Sequence, residues 1–441
     1  MTAIKTWLAQ PTSIIPLVGF RVAFGVLMLV STLRFWLKGW IAEYYIDPTY
    51  HFTYWGFGWV KPLPAIGMYL VFAMVALLCV FITIGLAYHL SMALFFVLFT
   101  YIELLDKAFY LNHYYFISLL SFMLIFIPLH RQWSVDSWWR PVIRTTHVPR
   151  WTITVIQLQI GIVYVFAGIA KLNPDWLLRA MPLAIWLPAY TDFPLIGHLF
   201  EHRWVAYTMS WGGALYDLTI PFWLSWRRTR WPAYATVVFF HVMTGLLFPI
   251  GMFPWIMLAC TLIFFDGHDY RKLLRWLPTP TPPITPISIQ PSRWGVAILG
   301  LFFLFQIGLP LRHWLYTGNV LWTEEGYRLS WRVMLVEKAG FTTFFVHDPT
   351  TGREWVVYPS QYLTPQQTQQ MSFQPDMIQA FAHHLREVYQ AKGYAAVEVR
   401  AEAYVSWNGR SSHLLVDPQT NLAAEPRSLW HKPWITDAPP E

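Results

Sequence analysis

The stretch FAGIAKLNPDW, Phe166 to Trp176, decides how the chain is read. An apolar run is interrupted by one lysine and then stopped by Asn173-Pro174-Asp175. An ammonium at the end of a membrane-length segment is costly unless it snorkels to the interface, pairs with an anion or gives up its proton. Lys171 is therefore either an interfacial anchor or a base. The polar residues on neighbouring segments bear on which.

The surrounding sequence is 56% hydrophobic, 18% aromatic and only 12% charged, against roughly 25% charged in soluble proteins. That composition specifies an integral membrane protein, with the lipid bilayer as its first partner. The formal charge of +7 sits in short loops between apolar runs, the pattern of membrane orientation rather than of a nucleic-acid surface. Nucleic acid is discounted. Cys79 and Cys260 both lie inside apolar runs, which excludes a disulfide framework and a CxxC zinc site. The N-terminal MTAIKTWLAQPTS, followed by an apolar stretch carrying Arg21 and Arg34, lacks a cleavage-site pattern and reads as a retained, signal-like helix.

Apolar stretches of spanning or near-spanning length run over residues 14–37, 64–82, 84–105, 114–129, 152–171, 205–226, 233–247, 251–265 and 294–311. They predict an α-helical polytopic membrane bundle of about nine transmembrane helices over residues 1–311. Twelve Lys and Arg in the connections on the N-terminal side, against five on the other, place the N-terminus in the cytoplasm. An odd number of spans then exports residues 312–441. In that tail FTTFFVHDPTTGREWVVY alternates around a hairpin loop at Asp348 to Gly352, and Asn408-Gly409 is a two-residue turn signal. Pro375 to Ala391 reads as an amphipathic helix with Met377, Ile378, Phe381 and Leu385 on one face. A mostly β soluble domain, a small sandwich, is expected there. Thr279 to Pro291 is a proline-rich, extended connection.

On this topology Lys171, the connection with Asp106, Lys107, Asn112 and His113, His241 near the end of its span, and Asp217 midway along another share the outer leaflet. Singly, Asp106 and Lys107 read as an interfacial ion pair, and His113 and His241 as histidines satisfied by neighbouring helices. A mid-span carboxylate such as Asp217 is a functional candidate by default. LLFPIGMFPWIMLAC, Leu246 to Cys260, breaks one span and starts another through Pro249, Gly251 and Pro254, which is tolerated only where protein buries the backbone or a cavity opens. Aromatic, apolar walls with a few convergent polar groups suit a lipid-soluble ring compound.

The strings DKAFYLNHYYFISLLSFMLIF with WSVD, VYVFAGIAKLNPDW, FHVMTGLLFPIGMFPWIMLA and LWTEEGYRLSWRVM resemble the vitamin K-dependent gamma-glutamyl carboxylase family in order and spacing. The membrane part alone is similar to a wider group sharing this carboxylase-derived domain. The resemblance implies that a lysine, here Lys171, deprotonates vitamin K hydroquinone of menaquinol or phylloquinol type, with His113 assisting. Oxygen then adds, a γ proton leaves a protein glutamate, carbon dioxide takes its place, and the quinone departs as epoxide. No metal is implied. Asn112, His241, Asp217, Met252 and Phe253 are the expected quinone-binding residues. Trp322, Tyr327 and Trp331, with Met334, are expected to receive the glutamate-containing protein or peptide, or else to form the seam between tail and membrane domain. A lysine is a weak base at neutral pH, and apolar burial favours its neutral form.

Against the animal enzymes it resembles, the chain has Ala170 where they carry a second lysine, lacks cysteines for their exofacial disulfide, and ends earlier, at Glu441. Leader-peptide docking is expected to differ more than the quinone chemistry. A bacterial inner membrane with a periplasmic tail, or the topologically equivalent lumenal tail, is the expected location. A quinone epoxidase that fixes no carbon dioxide, and a lipid- or quinone-binding transporter or scaffold, fit the same membrane residues. HExxH, GxSxG and P-loop motifs are absent.

Overall fold

A computed structural model describes residues 2–273 and 293–440; the proline-rich connection Thr279 to Pro291 lies outside them. Helices occupy each predicted apolar stretch: α1 (Ile15–Leu37), α2 (Ala65–Ile84), α3 (Tyr88–Leu105), α4 (Asn112–Leu124), α5 (Trp151–Ala170), α6 (Arg203–Ser225), α7 (Arg230–Leu247), α8 (Phe253–Thr261) and α9 (Arg293–Leu311). Among the described residues, five helices are long and apolar enough to cross a membrane: α1, α2, α3, α5 and the helical stretch beginning in α9. Of the remaining four, α4 and α8 are too short for the bilayer alone, at 13 and 9 residues.

The break between α2 and α3 has a local cause. Gly85 takes φ +67°, which ends α2 in a left-handed cap, and Asp136 from the short helix Val135–Trp139 then caps α3, accepting from Ala87 N at 2.7 Å and Tyr88 N at 2.9 Å. Close helix crossings are set by small residues. On α1 a side chain at Gly25 would press on the Cys79 carbonyl, 2.9 Å from the position its Cβ would take, so α1 and α2 meet backbone to backbone.

The tail is built on one antiparallel sheet. Strands β1 (Lys338–Asp348), β2 (Arg353–Val357), β3 (Glu398–Trp407) and β4 (His413–Leu414) run in the order β2-β1-β3-β4. Phe344 pairs with Val357 on one side and Ala401 on the other. Both predicted turns form, with Gly352 at φ +68° in the first and Asn408 and Gly409 at φ +48° and +78° in the second.

Alternation buries Phe344, Val346, Val399, Ala401, Ala403 and Val405. That face is covered by α10 (Pro375–Ala391), through Met377, Ile378, Phe381 and Leu385, with the Phe381 ring 5.0 Å from Phe344. The expected sandwich is therefore corrected: the second layer is a helix and not a second sheet. One long helix of strong amphipathicity suffices to close a sheet this narrow.

Candidate functional site

Lys171 caps α5, where the chain turns because the next helix, Pro174–Arg179, is started by Asn173. The Asn173 side chain accepts from Trp176 N at 3.0 Å and Pro174 occupies the first turn. The lysine side chain folds back inward. Its Nζ donates to Asp217 Oδ2 at 2.7 Å and lies 3.3 Å from the Ala167 carbonyl, with the Trp176 ring 5.3 Å away. Only 6% of Lys171 and 5% of Asp217 are exposed, so the interfacial-anchor reading of Lys171 fails.

The pairing depends on Gly168. A Cβ there would stand 2.8 Å from Leu218 N, so α5 and α6 touch along their backbones and the carboxylate of α6 comes within reach. Four residues beyond Asp217, Pro221 sits inside α6 and lacks the N–H that would bond the Asp217 carbonyl.

Lys171 and Asp217 end a cavity of about 90 Å³ walled by Val163, Leu183, Phe240, Phe248, Phe253 and Met257. Tyr164, His241 and Thr244 also line it, and Tyr164 Oη lies 2.8 Å from His241 Nε2 and 3.4 Å from Tyr216 Oη. His241 is buried, and its Nδ1 has no partner among the described residues. Tyr164 was not singled out from the sequence. The available signal was spacing, since Tyr164 precedes Lys171 by seven residues and so shares its helix face.

A second, larger cavity of about 810 Å³ lies between the tail and the helix ends that face it. Asn112, His113, Met252 and Tyr327 line it, and Ile250, Phe253, Val333 and Met334 line both cavities. Phe253 stands between the two histidines, with ring centroids 5.9 Å from His113 and 6.1 Å from His241. His113 thus belongs to the outer chamber, which we call the vestibule, and His241 to the inner one. The Asn112 side chain is engaged, donating to the Arg332 carbonyl at 3.1 Å and accepting from Tyr110 at 3.0 Å; that use of its amide competes with the ligand contact expected of it.

The residues expected to receive a substrate separate. Tyr327 and Met334 face the vestibule, whereas Trp322 and Trp331 line neither chamber. Trp322 is wholly buried, donating to the Thr436 carbonyl at 2.9 Å in the core of the tail. Trp331 reaches into the helix bundle and stacks on Tyr115 at 5.0 Å. These two indoles hold the tail together and to the membrane domain, the seam role weighed for them above. Asp106 and Lys107 are likewise not paired with each other. Lys107 donates to Asp376 of the tail at 2.7 Å, and Asp106 accepts from Gln367 at 2.8 Å. Burial pulls the Lys107 ammonium down to about 8, against the opposing pull of Asp376.

Sequence reasoning also missed a clamp directly after the lysine. Asp175, 4% exposed, takes two bonds from Arg410 at 2.7 and 2.9 Å and one from Asn408 at 2.8 Å. The second tail hairpin is thus fastened to the helix that shapes the Lys171 turn.

The HTTM domain family model matches residues 9–268, more than half of the chain, and the model described as vitamin K-dependent gamma-carboxylase, lumenal domain, matches residues 291–441. The chain belongs to the HTTM-domain membrane proteins of gamma-carboxylase type. In this gamma-carboxylase-type protein the second match begins just before α9, so the family's tail domain takes in the last long apolar helix as well as the sheet. No solved structure matches the chain.

Proposed function

We propose that the protein is a vitamin K-dependent gamma-glutamyl carboxylase, coupling oxygen-dependent epoxidation of reduced vitamin K to carbon dioxide addition at glutamate side chains of a protein or peptide. The observation that carries this reading is Lys171 turned into an apolar chamber against Asp217, with a vestibule under the tail on the other side of Phe253 and Met334. The chamber fits a quinone ring in kind: apolar walls, polar atoms at Lys171 and Asp217, and an orphaned His241 Nδ1 beside Tyr164. It is small against the 300–1,000 Å³ of ordinary ligand sites. It accommodates a ring head and leaves any long tail to the bilayer.

When bound with oxygen, reduced vitamin K supplies the strong base that no side chain provides. The protein's part is proton handling, position and dryness. A buried ion pair is costly to desolvate, so passing the proton 2.7 Å from Lys171 to Asp217 leaves a neutral amine on the chamber wall that would accept the proton of a quinol hydroxyl. Tyr164 and His241 would hold the ring's other polar atoms, while Met252 and Phe253 stand at the boundary with the vestibule. His113, buried beside Phe253, assists from the vestibule, where Tyr327 meets the incoming peptide. The apolar walls of the inner chamber would limit the water that reaches the reacting quinone.

The lysine and arginine count supports a cytoplasmic N-terminus. The contacts of the tail with Lys107 and Asp175 agree with placing tail and chambers together on the outer side, in a bacterial inner membrane the periplasm. We place the boundary between membrane domain and tail at residues 311 and 312, where α9 ends.

The test is an assay of purified protein in nanodiscs with reduced vitamin K, oxygen, labelled bicarbonate and a short glutamate peptide. Epoxide and labelled peptide are expected together, and neither without oxygen. Epoxide without label would make it an epoxidase, and neither product with any peptide tried would favour the transporter or scaffold class.

A further inference from the structure

A third cavity of about 180 Å³ lies beside the vestibule, and Lys107, Glu324 and Arg328 line both. Its charges are unevenly paired. Lys107 and Arg328 each meet Asp376 at 2.7 Å, Glu324 meets Lys338 at 2.7 Å, and Glu325 meets His431 at 2.7 Å and Lys432 at 3.8 Å.

That leaves two guanidiniums on its wall held by neutral oxygens. Arg312 donates to the Leu309 carbonyl at 2.8 Å, Ser330 Oγ at 3.2 Å and the Arg328 carbonyl. Arg427 donates to the Thr53 carbonyl at 2.7 Å and Thr53 Oγ1 at 3.4 Å. Neither has a carboxylate partner among the described residues. In the same cavity Asp376 Oδ1 is buried with no donor. The site therefore holds two guanidiniums without a carboxylate partner among the described residues and one carboxylate oxygen without a donor.

We propose that this cavity binds the malonate-type side chain of a γ-carboxylated residue, and so holds the product end of the polypeptide while another glutamate occupies the vestibule. The proposal rests on the carboxylase reading above. Replacing one γ hydrogen of glutamate by a carboxylate, with the proton released, turns a monoanion into a dianion. A guanidinium matches each carboxylate in planar, two-bond geometry. The backbone N–H of a peptide supplies the donor that Asp376 Oδ1 lacks, which free malonate cannot do.

The experiment is calorimetric titration of the full-length protein in nanodiscs, without quinone, using three probes: a peptide with one γ-carboxyglutamate, the same peptide with glutamate, and sodium malonate at constant ionic strength. The modified peptide is expected to bind about tenfold more tightly than the glutamate peptide, with malonate competing more weakly than the peptide. Arg312→Gln and Arg427→Gln are each expected to erase the preference, while Arg427→Lys, which keeps the charge and the reach to Thr53, retains most of it. Equal binding of the two peptides overturns the proposal, as does a preference that survives both glutamine variants, or malonate behaving as an adventitious ion only. A preference observed in protein that fixes no label in the assay above supports the dianion site and overturns the carboxylase reading, so the two failures are distinguishable.

Discussion

Removing the Lys171 ammonium leaves the Asp217 carboxylate buried without its partner, a change that costs about 3–5 kcal/mol for a buried pair. Lys171→Ala and Asp217→Asn are each expected to lower the thermal midpoint clearly, and the double variant to recover much of the loss because no charge remains uncompensated. Thermal melting in detergent reads this directly; a double variant less stable than both singles would contradict the pairing. At this scale the sequence was informative where charge interrupts apolar runs. Lys171, Asp217 and His241 stand out for that reason. Tyr164 does not, because a tyrosine in an aromatic-rich membrane chain carries no such contrast. Asp175 stayed hidden because its partner Arg410 is 235 residues away.

Between elements, the approach of α5 to α6 is the tightest constraint on the inner chamber. Gly168→Val would force the two backbones apart, at about 1–3 kcal/mol of overpacking strain, and move Lys171 away from Asp217. Activity is expected to fall more steeply than the thermal midpoint; normal activity in a folded Gly168→Val protein would show that the contact is dispensable. Helix positions were legible because apolar length and periodicity are local properties, as were the two tail hairpins, whose turn residues match their backbone angles. The sandwich was not, since strand alternation reports that a face is covered without saying by what. Here the cover is α10, itself visible in the sequence but not assigned to that face.

For the whole molecule, orientation and the seating of the tail are the claims to test. Cys79 and Cys260 are buried, so single introduced cysteines can be read against low background. Ser411→Cys, on an exposed tail loop, is expected to react with an impermeant maleimide from outside intact cells or spheroplasts, and Arg228→Cys only after permeabilisation; the reverse would invert the topology. Tail docking should also weaken in acid. Burial acts to raise the Asp175 carboxyl, but the Arg410 and Asn408 bonds outweigh it and hold the group below the usual carboxylate range. The clamp's contribution is therefore full above the unfolded value near 4 and is lost as pH falls below it. Limited proteolysis between pH 6 and 3 should release the tail progressively more easily, with a flatter pH response in Asp175→Asn. An identical response in the variant would remove Asp175 from the account.

The most direct measurement compares epoxide formation and label incorporation in the parent, Lys171→Ala and the Lys171→Ala/Asp217→Asn double variant, each normalised to folded protein. If Lys171 is the base, both products disappear in both variants, even where the double variant restores stability. Epoxide and label persisting in the stable double variant would contradict the assignment and leave the lysine a structural partner of Asp217.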